Sequence, residues 1–313
     1  MECNYFIESL DLLLDEFKTY STIIENTYYT EEGNISDYIN DIDLKRILGY
    51  VFNKFSSILR ILWDKFKVSY NEFIKGTSLA KYRKRLENMD ADINFPKIRF
   101  IYNNLNNSEI FNFFKISLDE EYNWFVDSIN KISECKDTGS IHSTIIEING
   151  NMVDSNTYLD NKRGEILGFD TSISKEDFIK QVILYFRPGE YYDPGVIYSN
   201  DIRQITDEYF SDKYAEKGIT RDQEILQSAV KSIEEKLSNI NINKCLPDKN
   251  INFEIASLFS NIIRNYCNKI QGLCDIYIEI FSVKLDIIAM YKNEQAGILS
   301  KVISKYKGGK IND

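Results

Sequence analysis

Proline, glycine and histidine are scarce in this chain of 313 residues, which contains 4 Pro, 14 Gly and 1 His. With so few helix breakers, long helices are favoured over a turn-rich β architecture. The single imidazole, His142, excludes metal sites that are built from several histidines. Glycine-rich phosphate-binding loops are also missing, since neither the Walker pattern nor Gly-x-Gly-x-x-Gly occurs. These absences indicate a helical protein without familiar catalytic machinery.

The cysteines, the first residues and the apolar runs show no pattern that is typical of a secreted or membrane-spanning protein. Five cysteines, at positions 3, 135, 245, 267 and 274, are odd in number and scattered. Their spacing fits neither a zinc site nor a disulfide framework, so we expect free thiols in a reducing cytoplasm. The first twenty residues carry acids and no basic stretch, and no run of about 18 uncharged apolar residues occurs. We therefore expect neither a secretory signal nor a transmembrane helix.

Positive charge is concentrated in one segment of an otherwise acidic chain. The protein has a net charge of −10, but residues 44–85 contain eleven Lys and Arg against two acids. That segment carries +9, and the remainder carries −19. Its apolar residues recur at intervals of three and four, so the basic side chains project from the other faces of an amphipathic helix. We predict an interaction surface formed by Lys54, Arg60, Lys65, Lys67, Lys81, Arg83, Lys84 and Arg85.

Three kinds of partner fit this basic segment. The first is an acidic protein surface, within the chain or in an assembly. The second is nucleic acid, because neutralising phosphates requires only clustered Lys and Arg. The third is an anionic membrane, with Trp63, Phe66 and Tyr70 as apolar anchors, although the alternative for Trp63 is core packing. We favour the protein partner, because the remaining −19 would repel both DNA and anionic lipid.

The apolar spacing predicts a mainly α fold, with long amphipathic helices and a small β element. We expect strands at Lys97–Tyr102 and Thr144–Ile148, the second ending in a hairpin turn at Asn149–Gly150, and a loop from there to residue 170. Ser174 predicts a capped helix, and a short strand is expected at Val196–Tyr198.

From Phe253 to about Lys305, apolar residues recur at helical spacing, which predicts one very long helix or a stacked pair, with Gly272 as a candidate kink. We divide the chain into an N-terminal helical region with the basic helix (1–90), a mixed region with short strands (91–245) and a C-terminal long helix or hairpin (246–313).

The ionisable residues do not assemble a recognisable active site. Cys135 and His142 are seven residues apart, but sequence proximity alone does not position a thiolate and its base. Neighbouring carboxylates such as Asp41 and Asp43 are typical of a solvated surface. We therefore predict no catalytic, cofactor-binding or metal-binding residues.

Several short motifs follow one another along the chain: Leu62–Lys67, Lys81–Leu86, Phe100–Leu105, Tyr185–Glu190 and Lys284–Tyr291. In this order they resemble a loosely defined group of virion structural proteins, internal head or capsid-associated, from large tailed bacteriophages. The resemblance spans about residues 45 to 300. It implies a non-enzymatic virion protein that is made in the host bacterial cytoplasm. Its partners would be other virion proteins or further copies of itself, with no small-molecule substrate and no cofactor.

Two other functions remain open from the sequence. One is a protein that contacts nucleic acid or a membrane through residues 44–85. The other is a phage-encoded acidic inhibitor of a host protein, because net acidity suits mimicry of DNA.

Overall fold

A computed structural model describes most of the central and C-terminal chain, and 81% of this part is helical. The mainly α fold with a small β element is thereby confirmed. Most of the N-terminal helical region predicted at residues 1–90 lies outside the described residues. The described residues are 60, 63, 64, 67, 77–99, 107, 109–186, 191–193, 195–198, 201, 213–238 and 253–308.

The elements alternate between long helices and two very short strand pairs. In chain order they are α1 (Thr77–Glu87), β1 (Ile93–Asn94), β2 (Ile98–Arg99), α2 (Glu109–Ser133), α3 (Thr138–Asn151), α4 (Ser155–Ile166), α5 (Lys175–Tyr185), β3 (Tyr191–Tyr192), β4 (Val196–Ile197), α6 (Lys213–Ser238) and α7 (Phe253–Gly308). β1 pairs with β4 and β2 pairs with β3, both antiparallel. The short strand predicted near Val196 is therefore confirmed.

α7 is a single helix of 56 residues, roughly 84 Å long at the usual rise per residue. Its apolar residues recur at three and four and are buried from Phe259 through Tyr277. The helices α1 to α5 all pack against it. No helix in the described part of the chain is long and apolar enough to cross a bilayer.

Gly272 has a packing role in this helix. A Cβ atom added to it would lie 2.2 Å from Leu159 Cδ1 of α4, so glycine is what allows α4 to approach. α7 continues through Gly272 without interruption.

The apolar core has two parts along α7. The larger one joins α2, α3, α5 and α6 to the first two thirds of α7, around Phe125, Phe178 and Tyr266. The smaller one joins α1 and the strands to the end of α7. We call this second unit the terminal module (residues 77–99, 191–193, 195–198 and 289–308). Its buried residues are Leu86, Ile93, Phe95, Ile197, Leu299, Val302 and Ile303.

The predicted strand at Thr144–Ile148 is wrong, because these residues lie inside α3. Asp137 caps that helix, and its side chain accepts a hydrogen bond from the Ser140 amide at 2.8 Å. Ile141, Ile145 and Ile148 are buried at helical spacing, so the core selects helix despite the β-forming side chains. Asn149 is not in a hairpin turn, since its amide group donates to the Leu258 carbonyl of α7 at 3.0 Å.

The loop predicted through residue 170 is also wrong, because α4 occupies most of it. Asp154 caps α4 by accepting hydrogen bonds from the Asn156 and Thr157 amides. Hydrogen bonds, first from the Thr157 hydroxyl, lower the pKa of the Asp154 carboxyl. α4 buries only Gly164 and Ile166 fully, so it lacks the apolar stripe by which a helix is recognised in sequence.

The prediction for the next helix is confirmed. Ser174 caps α5 by accepting from the Asp177 amide at 3.2 Å, and Phe178 and Val182 are its buried residues. The helix ends at Tyr185, ahead of Pro188.

Candidate interaction surface

Three basic residues of α1 lie outside its buried side. Leu86 is completely buried in the terminal module, with Tyr82 and Met89 half-buried beside it. At 100° per residue, Lys81, Lys84 and Arg85 fall together on an adjoining side of the helix, and all are exposed. None of these three forms an ion pair with another described residue. α1 therefore presents a cluster of positive charge that no acid of the described ranges neutralises by an ion pair.

The other predicted surface residues are placed only in part. Arg60 and Lys67 have helical backbone and exposed side chains. Arg83 belongs to α1, whereas Lys54 and Lys65 lie outside the described residues. The structure thus brings Lys81, Lys84 and Arg85 together, and the grouping of the other predicted residues with them stays a prediction.

The end of α7 adds cations that the sequence analysis missed. Lys301, Lys305 and Lys307 are exposed, outside the stripe that contains the buried Leu299 and Val302. They are more than two hundred residues from α1 in sequence, and only the packing of α1 on α7 brings them near it. The sequence does contain one sign of these cations, because Lys301 and Lys305 are one helical turn apart at the end of the long apolar repeat. Across the terminal module, ten Lys and Arg oppose five acids, a net charge of +5.

Trp63 belongs to the core. It is half-buried and packs against the larger apolar cluster, and the Lys67 ammonium lies 5.1 Å from the centre of its ring. This cation–π contact places the charge over the aromatic face. The structure therefore favours the interpretation of Trp63 as a core residue over its interpretation as a bilayer anchor.

An ion pair between α6 and α7 is fully buried. The Lys284 ammonium donates to Asp222 Oδ2, and both side chains are 0% exposed. Tyr277 donates from its hydroxyl to the Asp222 carbonyl at 2.6 Å. The Phe111 ring centre is 5.4 Å from the ammonium. Burial lowers the pKa of Lys284, and the Asp222 carboxylate opposes that effect.

A second buried pair joins α2 to α7. Lys269 Nζ and Glu121 Oε2 are 3.2 Å apart, and the side chains are 5% and 8% exposed. The Lys269 ammonium also lies 4.6 Å from the Tyr158 ring centre and 5.0 Å from that of Trp124. Burial, and then the Glu121 charge, raise the pKa of the Tyr158 hydroxyl. The sequence did not reveal either pair, because each joins residues far apart in the chain.

A third group of charges surrounds Asp275 of α7. Burial, and then the nearby Glu279 carboxylate, raise the pKa of Asp275 to about 7. Lys175, at the start of α5, pairs with Glu279 at 2.6 Å. Arg163 of α4 pairs with Asp160 at 2.5 Å. Lys175 and Arg163 both favour the charged form of Asp275 but do not overcome its burial.

The described contacts of Cys135 are made with Thr144 and Lys131. The Cys135 thiol lies 3.3 Å from the Thr144 hydroxyl and 3.4 Å from the Lys131 carbonyl, while half-buried His142 lies within α3. Among the residues that the structure describes, no three His, Cys, Asp or Glu side chains are grouped so as to hold a metal ion.

Comparisons with models of known protein families, with curated proteins and with solved structures found no match to this chain. The resemblance to phage virion proteins therefore stays a prediction.

Proposed function

We propose that this protein is a non-enzymatic structural component of a large tailed bacteriophage particle, internal head or capsid-associated, that acts through contacts between helical faces. It is made in the host bacterial cytoplasm, and its partners are other virion proteins or further copies of itself.

The observation that carries this proposal is the use of buried charges to connect helices. Lys284 with Asp222 and Lys269 with Glu121 link α6 and α2 to the long helix α7. These groups are almost completely inaccessible, so they are suited to fixing the arrangement of helices rather than to meeting a substrate. A rigid helical frame of this kind suits a protein that presents surfaces to neighbours.

Outward-facing apolar side chains support contact with other proteins. Phe113 and Ile116, one helical turn apart on α2, are 39% and 52% exposed, and Ile183 and Leu184 on α5 are 41% and 50% exposed. Large apolar side chains at the surface favour association with a partner when they are grouped.

Mass spectrometry of particles from the phage that encodes this chain tests the proposal. The particles are purified by density gradient and treated with nuclease and protease, and the particle-free lysate serves as control. We expect the protein to co-purify with particles at a constant copy number. Its presence in the lysate alone would contradict the proposal and would favour the acidic inhibitor of a host protein.

A further inference from the structure

We propose that α1 and the end of α7 form one surface that binds the phosphate backbone of nucleic acid without reading its sequence. We call it the terminal basic surface, and it consists of Lys81, Lys84, Arg85, Lys301, Lys305 and Lys307. The proposal does not depend on the protein being part of a particle.

The two helices are held side by side by apolar contacts. Leu86 of α1 and Leu299, Val302 and Ile303 of α7 share one buried cluster. Helices packed in this way have axes about 8–10 Å apart, so long basic side chains on both fall within one contact area. At 100° per residue, Lys305 lies on one flank of the apolar stripe of α7 and Lys307 on the other, while Lys301 lies further round the helix than Lys305. α7 therefore presents a lysine on each side of its contact with α1.

The six cations are available to a ligand. All are exposed, and none forms an ion pair with another residue of the described ranges. Elsewhere, lysines of this protein do pair with acids, as Lys236 does with Asp119 at 2.7 Å. Phosphate neutralisation needs point charges and little else, because released counterions supply the free energy.

The composition of the surface favours nucleic acid over a protein or a membrane. Protein interfaces are depleted in lysine and enriched in aromatic residues at their centres, whereas the apolar residues of both basic helices, such as Leu86 and Leu299, are buried inward. The exposed Val196 and Tyr198 lie on and just after β4 rather than on the basic helices. Membrane-surface helices need apolar anchors beside their cations, and Trp63 packs in the core.

The acidity of the whole chain does not prevent this contact. At physiological salt, charges are screened over about 8 Å. Lys301 follows Ile288, where the larger core ends on α7, by 13 residues of continuous helix, which is roughly 20 Å. The net positive charge of the terminal module therefore determines the potential that a phosphate meets there.

Fluorescence anisotropy with a labelled 30-base-pair duplex DNA of mixed sequence, titrated at several KCl concentrations, tests the proposal. If six phosphates are neutralised, the logarithm of the association constant should fall against that of salt with a slope of about −5. One variant carries Lys81→Gln, Lys84→Gln and Arg85→Gln, and a second carries Lys301→Gln, Lys305→Gln and Lys307→Gln. Each should bring the slope to about −3 and weaken binding on the order of 100-fold near 0.1 M salt.

The matched control removes three exposed lysines elsewhere, by Lys115→Gln, Lys131→Gln and Lys136→Gln. It has the same net charge as the other two variants and should bind DNA as the wild type does. Circular dichroism confirms that each variant is folded, and the substituted side chains are all exposed.

Four outcomes would overturn the proposal. The first is that the protein does not bind the duplex at 50 mM salt. The second is that the control variant loses as much DNA affinity as the other two. The third is that only the α1 variant loses DNA affinity, which would show that α7 is not part of the surface. The fourth is preferential binding to vesicles of phosphatidylserine and phosphatidylcholine or to polyglutamate, which would indicate a membrane or an acidic protein instead. Because the assay uses purified protein, its result is independent of whether the chain is found in particles.

Discussion

Lys284 of α7 and Asp222 of α6 form an ion pair that solvent does not reach, with both side chains 0% exposed. The carboxylate belongs to a residue whose carbonyl also accepts from Tyr277, so one position of α6 is fixed to two positions of α7. Removing two charges from water is costly, and their mutual attraction offsets that cost only while both partners are present.

Removing one partner of this pair should destabilise the protein severely. Lys284→Met removes the ammonium that pairs with the buried Asp222 carboxylate, and we expect a loss of about 3–5 kcal/mol in the free energy of unfolding. Urea denaturation measures it. The control is Lys231→Met, because Lys231 pairs with Glu235 at the surface, at 3.8 Å and with 76% and 68% exposure. That change should cost about 0–1 kcal/mol. If the two variants lost the same free energy of unfolding, the buried pair would contribute no more to stability than the surface pair.

The double variant Lys284→Met with Asp222→Leu separates charge from packing. Without either charge, no unpaired ion remains in the core, so stability should recover much of what the single variant loses. No recovery would mean that the shape of these side chains matters more than their charge.

Asp275 should make stability depend on pH. Its pKa in the folded protein is about 7, above the ordinary value of 3.8, so the folded state holds a proton that the unfolded state has already released. The contribution of this group to stability therefore falls as pH rises from about 4 to 7. Asp275→Asn removes this effect, and we expect it to be more stable than wild type by about 1–3 kcal/mol at pH 8.

The advantage of Asp275→Asn should shrink as the pH approaches 4. Thermal or urea unfolding at pH 4.5 and 8 tests this, with Asp127→Asn as control, since Asp127 is exposed on α2. A constant difference between Asp275→Asn and wild type across that range would show that the carboxyl does not titrate as described. Glu279, Lys175 and Arg163 surround the group, and variants at these positions should move the transition.

Two glycines of α7 should respond oppositely to alanine. Gly297 has no atom within 4 Å of an added Cβ, so Gly297→Ala should stabilise the helix by about 0.5–1 kcal/mol. At Gly272 the added Cβ would meet Leu159 Cδ1 at 2.2 Å, and we expect Gly272→Ala to destabilise by about 1–2 kcal/mol because α4 must shift. Stabilisation by both substitutions in urea denaturation would indicate that α4 does not approach Gly272 closely.

If the protein is a particle component, as proposed above, reversing the charges of α1 should disturb assembly of the particle. The variant carries Lys81→Glu, Arg83→Glu, Lys84→Glu and Arg85→Glu. A single exposed ion pair is worth only about 0–1 kcal/mol, so several reversals are needed at once. Incorporation into particles, measured by complementing a phage that lacks the gene, should fall. Reversal of four exposed lysines elsewhere serves as control: Lys115, Lys131, Lys136 and Lys231. Normal incorporation of the α1 variant would mean that this surface has no part in assembly.

The long helices could be predicted because their apolar residues repeat over many turns. α7 repeats them over its whole length, and Ser174 marks the start of α5 by its capping side chain. α3 and α4 were missed for two different reasons. Ile145 and its neighbours in α3 favour strand locally, and only burial against other helices selects the helical form. α4 contacts the core through few apolar side chains, so its sequence resembles that of a loop.

The candidate surface could be predicted only where its residues are neighbours in sequence. Lys81, Lys84 and Arg85 stand out as a cluster in the chain. Lys301 and Lys305 join them only through the packing of Leu86 on Leu299, which no local pattern encodes. The same applies to Lys284 and Asp222, since charged residues on separate helices give no sign in the sequence that they will be buried together.

The pairing of Ile93 with Ile197 has a consequence for the order of folding. It closes a loop of about one hundred residues, which in a flexible chain costs roughly 4 kcal/mol of entropy beyond a constant. Helices α2 to α5, which lie inside that loop, form from local contacts and shorten it before it closes. Leu86 also cannot be buried until Leu299 and Ile303 are present, and these are synthesised more than two hundred residues later. The terminal module is therefore assembled later than helices α2 to α5, and a ribosome-bound chain does not display its basic surface until the end of α7 has been synthesised.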